Sequence, residues 1–218
     1  MPAAPWDPQM IAQALSVERL APYVAACQGD RVVALRLYEW NLSVSGAFYE
    51  ALGIVEVTLR NALHQRLTDR HGQRPGHWYD DPARLLLPPA HADITAARQR
   101  VAKLGRPETP GRVVAELNFG FWKFLLARRY EATLWTPTLR HAFPNLQPRR
   151  RTIAYDAMDR LHVLRNRIAH HEPVHHRDPA TDVMVAYRLL DWIDADVHHW
   201  AQSLSRLRPI LSAKPTLR

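Results

Sequence analysis

Residues 164–178, "LRNRIAHHEPVHHRD", crowd Arg165, Arg167, His170 and His171 into one run ahead of Pro173. Guanidinium and imidazole together can hold a small anion and move a proton beside it. The first neutralises charge on phosphate oxygens, and the second, with an ordinary pKa near 6.5, gives or takes a proton around neutral pH. The arrangement Arg165-Asn166-x-x-x-His170 is the candidate unit. A chain this rich in arginine and histidine is expected to hold about one such Arg/His pair by chance, and two occur, Arg165–His170 and Arg66–His71. Arg66–His71 runs into Gly72 with no Asn after the arginine, which reads as coincidence.

Helical geometry constrains the first pair. Asn166 and His170 lie one turn apart on a single stripe, whereas Arg165 is rotated roughly 140° from His170. The two can converge on one small anion only if the helix end loosens before Pro173, or if two copies of the helix face each other. The negative end of the helix dipole favours cations there, which is also what plain capping would produce. Spacing alone leaves both readings open.

Glu56, Arg60 and His64 follow one another at i, i+4 spacing. Such a row is either an exposed ladder of side-chain pairs or, with Asn61, one wall of a cleft facing the 165–170 helix. Arg149, Arg150 and Arg151 stand where a helix should begin, and positive charge opposes the dipole at that end. They are expected to remain in a solvated turn or to meet an anion such as an RNA backbone, with Arg128, Arg129 and Arg140 extending the track. His170, His171, His175 and His176 raise the question of zinc. No cysteine is near, however, no H-E-x-x-H occurs, and Pro173 breaks the register, so neither metal nor cofactor is expected. The aromatics of "FGFWKF" (119–124) read as core rather than a base-stacking platform, and His198 and His199 as helix surface.

A 3.6-residue hydrophobic period dominates and predicts an all-α helical bundle. Asp7-Pro8 opens a short helix and Ser16 a second, ending near Gly29. Asp30 starts a third that stops around Gly46, and a longer helix runs from Ala47 to Gly72. Residues 73–90 form a proline-punctuated loop with one helical turn, followed by a polar helix. The segment 111–135 is expected to be one helix bent near Gly120. The motif helix ends before Pro173, and a last long helix runs from residue 180 to 207. No internal boundary or repeat is evident.

With 218 residues, 47% of them hydrophobic, the chain can bury one sizeable core. No signal peptide or run of about 18 apolar residues is expected, and the single Cys27 suits a reducing cytoplasm. The formal charge is +8, the pI about 10.1, and 26 of the 29 basic residues are arginine. That balance favours a polyanion such as RNA or DNA without requiring one.

"LRNRIAHHEPV" resembles the signature of the HEPN superfamily, an Arg and a His with four to six residues between them and often a polar residue after the arginine. It is most similar to the Abi-like branch, bacterial proteins linked to abortive phage infection. The segments "IVEVTLRNAL" (54–63), "LNFGFWKFLL" (117–126) and "TDVMVAYRLLDWI" (181–193) fit that branch in order, so the resemblance covers about residues 40–200. It implies a HEPN-like bundle over 41–205, with extra N-terminal helices in 1–40 and a tail over 206–218. It further implies a metal-independent endoribonuclease cutting RNA through its own 2′-OH. Arg165 and His170 would be the catalytic pair and Asn166 their polar support. Apart from the resemblance, the cleft wall and the basic track make Glu56, Arg60, Asn61, His171, Arg149, Arg150 and Arg151 the candidate substrate contacts. Pairing of two motifs across a homodimer and a role in phage defence or as a toxin come with the resemblance. The alternatives are a catalytically silent helical module that binds RNA or protein, and a toxin subunit restrained by an antitoxin.

Overall fold

Short polar residues write the helix starts into the chain. The Asp7 carboxylate accepts from the Gln9 amide at 2.8 Å with Pro8 at the first helical position, and Asp30 accepts from the amides of Val32 and Val33. Ser16, Thr109, Asn118, Asp178 and Asp194 cap later helices in the same way. In the computed structural model, which describes residues 7–217, the helices are α1 (Pro8–Leu15), α2 (Val17–Ala26), α3 (Arg31–His71), α4 (Pro88–Lys103), α5 (Pro110–Glu116), α6 (Phe119–Leu125), α7 (Arg151–Ala169), α8 (Pro179–Ile193), α9 (Ala195–Leu204) and α10 (Leu207–Ser212). There is no strand among the described residues, so the chain is all-α.

Gly46 does not end a helix. α3 is continuous for 41 residues, roughly 60 Å, where the sequence suggested two pieces. Val44, Phe48, Leu52, Val55, Leu59, Leu63 and Leu67 form one buried stripe across the expected junction. A helical glycine costs only about 1 kcal/mol, less than burying that stripe returns. A stretch of α3 with mean hydropathy 1.3 is long and apolar enough to cross a membrane by length and composition, which corrects the expectation that no such run exists. Here α3 is the central helix, packed against α1, α2, α6, α7, α8 and α10.

Two further expectations change. The 111–135 segment breaks at Leu117–Asn118, where Asn118 caps α6, so Gly120 lies inside α6 rather than at a bend. Beyond α6 the chain tightens into a 3-10 turn (Arg128–Tyr130) and then widens into a π turn (Glu131–Trp135). The last long helix is split at Asp194, an extended residue whose side chain caps α9. Nor do residues 40/41 mark a structural break, whereas Ser205 and Arg206 do separate α9 from α10. α3 runs through the first, and the tail folds back as α10, where the Ile210 carbonyl accepts from the Trp40 indole at 2.8 Å. Asp182, with no exposed surface, joins α7 to α8 through Arg160 (2.6 Å) and Arg177 (2.9 Å).

Candidate functional site

The end of α7 closes tightly. The Glu172 amide donates to the Arg167 carbonyl at 2.7 Å and the His171 amide to the Ile168 carbonyl at 3.0 Å, the paired bonds of a Schellman turn. His170 is the C-cap. His171 takes the left-handed position (φ 55) that glycine usually fills. The helix end therefore does not loosen, and that route for bringing Arg165 to His170 is closed. No hydrogen bond or ion pair joins their side chains among the described residues.

Three distant segments pin the turn that follows His170. The Arg19 guanidinium donates to the His171 carbonyl at 2.7 Å. The Val174 amide donates to the buried Asn41 carboxamide oxygen at 2.7 Å, and Lys214 donates to the His175 carbonyl at 2.8 Å. Contacts from α2, the first third of α3 and the C-terminal tail thus fix where the exposed His170 and His171 emerge.

Arg165 sits on the flank of α7 that meets α3, with its Nε 3.9 Å from Glu56 Oε2 and its side chain 40% exposed. Glu56 therefore pairs across to the motif helix, so the row on α3 is not simply a solvent ladder. Arg60, one turn on, is half-buried with a buried Nε lacking a partner, and Asn61 is exposed. His64 is taken up structurally: its Nδ1 accepts from the Trp78 indole at 2.8 Å, and burial pushes its pKa down.

Asn166 leads to groups the sequence reading overlooked. Its side-chain nitrogen lies 3.3 Å from His162 Nε2, and His162 Nδ1 is 3.2 Å from the Lys123 ammonium, which pairs with Asp159 at 2.9 Å. The His162 ring stacks nearly parallel to Phe119, at 6.1 Å and 8°. Burial lowers its pKa, and the Lys123 cation lowers it further. Asp159, His162, Asn166 and His170 thus form one polar stripe along α7. Spacing could have revealed that stripe; the arrival of Lys123 and Phe119 from α6 could not be read from it.

Arg140, Arg149, Arg150 and Arg151 line a cavity of about 370 Å³ at the opposite end of α7 with Thr136 and Thr152. Arg151 is spent structurally, only 7% exposed, on the Leu126 carbonyl (2.9 Å) and Glu131 (3.2 Å). Arg149 donates to the Pro144 carbonyl at 2.7 Å, and Arg150 stands exposed at the N-cap with no side-chain cap. Contact with an anion therefore falls to Arg149, Arg150 and Arg140 more than to Arg151. No group of three or more potential metal ligands gathers among the described residues. Phe119, Phe121 and Trp122 are core.

No family model, curated protein or solved structure matches the chain.

Proposed function

We propose that the chain is a HEPN-type, metal-independent endoribonuclease that acts as a homodimer, two copies of the α7 terminus facing each other across one RNA strand. The observation that carries this reading is how the four α7 arginines are used. Arg151 is locked to Glu131 and Leu126, Arg160 to Asp182 at 2.6 Å, and Arg167 pairs with Glu172 at 3.5 Å. Arg165 alone of the four has only a 3.9 Å ion pair, and it lies beside Asn166 and upstream of an exposed His170. A guanidinium so placed still has N–H groups to offer a phosphate.

In the proposed reaction the 2′-oxygen attacks phosphorus, the P–O5′ bond breaks, and a 2′,3′-cyclic phosphate and a 5′-hydroxyl result. One His170 takes the 2′-OH proton and its partner in the second copy protonates the departing O5′. Arg165 meets the charge growing on the non-bridging oxygens. Asn166 holds one of those oxygens, and Arg149 and Arg150 hold the backbone further along the strand. A role in phage defence, or as a toxin held by an antitoxin, belongs to the same proposal, as does a cytoplasmic location.

The lack of contact between Arg165 and His170 within one chain favours a second reading, a monomeric RNA-binding module. Incubation with total RNA in EDTA separates the two. Cleavage by wild type, with 2′,3′-cyclic ends, and none by His170→Ala or Arg165→Ala supports the nuclease; equal binding and no cleavage by all three supports the module.

A further inference from the structure

His162 holds a ring with both nitrogens engaged, and the chemistry of its two partners fixes where its proton sits. The Lys123 ammonium, 3.2 Å from Nδ1, has donors and no acceptor. Asp159 at 2.9 Å keeps it paired as a cation. Nδ1 must therefore accept, and the neutral ring carries its hydrogen on Nε2. An Nε2–H facing the Asn166 NH2 at 3.3 Å would set donor against donor. The two ends of a carboxamide have nearly the same shape, so turning the Asn166 amide over costs no packing and resolves the conflict. The oxygen then accepts from His162, and the NH2 occupies the outer position, where no protein group among the described residues claims it.

The seat of the ring is built for this. A Cβ at Gly120 would lie 3.2 Å from His162 Nε2 and 3.1 Å from the Asn118 carboxamide oxygen, so only glycine admits the imidazole there without a shift. Phe119 backs the ring face. The charged groups facing it are Lys123 from α6 and Asp159 and Arg165 from α7, and the two cations among them disfavour imidazolium.

We infer that His162 is a positioning residue, fixed as the Nε2–H tautomer by Lys123, which grips Asn166 by its carboxamide oxygen and presents the Asn166 NH2 to a phosphate oxygen beside Arg165. The substrate in this statement rests on the ribonuclease reading; the tautomer and the amide orientation do not.

Long-range ¹H–¹⁵N correlation spectra of the full chain at pH 7 test the first part. The expected pattern is a protonated Nε2 and a bare Nδ1 for His162, becoming a tautomer mixture in Lys123→Met. An Nδ1–H ring in wild type overturns the inference. The second part uses 2′-O-methyl RNA, which lacks the nucleophile and cannot be cut by this route. Its addition is expected to shift the Asn166 NH2 signals in wild type and leave them unmoved in His162→Phe, which keeps the stack on Phe119. Equal shifts in both overturn it. If wild type cleaves RNA, His162→Phe is expected to lower kcat by about 10- to 100-fold with KM nearly constant. His162→Gln, which retains a donor near the Nε2 position, should restore most of the loss. If wild type does not cleave, the nuclease reading fails while the spectra still decide the role of His162.

Discussion

In the proposed metal-free cleavage Arg165 and His170 would divide the labour, one holding charge and the other moving protons. Arg165 is flanked by Glu56 at a distance that steadies its side chain without using up its donors. Loss of its planar fork in Arg165→Ala should reduce RNA cleavage about 100- to 1,000-fold. Arg165→Lys should recover only part, because a lysine is a point charge rather than a fork; initial rates on one labelled RNA check both. His171 invites a different test. It occupies a left-handed position (φ 55) at an otherwise ordinary helix end, where glycine would relieve backbone strain. His171→Gly should raise stability by roughly 1 kcal/mol in urea titrations. A simultaneous fall in RNA affinity would assign the imidazole to substrate; unchanged affinity would make it a conformational accident of the turn.

At the scale of elements, the site depends on how α3 holds the turn after α7. Asn41 lies on α3, is 3% exposed, and accepts the Val174 amide at 2.7 Å. Asn41→Ala leaves that amide buried without a partner, a cost of about 1–3 kcal/mol. Because the same bond fixes the chain just beyond His170, cleavage should fall by more than the folded fraction explains. Denaturant curves and activity on one preparation compare the two losses. In the sequence Asn41 is one polar residue inside "LYEWNLSVSG". Nothing nearby signals its partner, which is 133 positions away.

The whole molecule makes two predictions. His175 is buried beside Tyr23, and burial lowers its pKa to about 4 from an ordinary 6.5, with His176 and Lys214 adding to the effect. The folded protein therefore refuses a proton that the unfolded chain accepts between those values. Stability from this residue is complete above about pH 6.5 and is lost as the pH falls through 4, by roughly 3 kcal/mol in full. His175→Phe should flatten that part of the pH–stability curve. Assembly supplies the second prediction. If the site is shared between two chains, as proposed, specific activity should rise with protein concentration and track the dimer fraction seen by analytical ultracentrifugation. A fully active monomer would contradict the shared site.

What the sequence determined by itself was local. Cap residues at Asp7, Ser16, Asp30 and Thr109 set helix starts, and the 3.6 period set the all-α class, because a cap bond and an amphipathic stripe are made within a few residues of chain. The Arg165-Asn166-His170 grouping was legible for the same reason. Only the tertiary structure decided that α3 continues through Gly46, that Arg151 turns inward while Arg165 stays open, and that Lys123 and Phe119 enclose His162. Each of these outcomes rests on partners far away in the chain. Their burial and hydrogen-bonding energies override local preference, and no spacing within one helix encodes them.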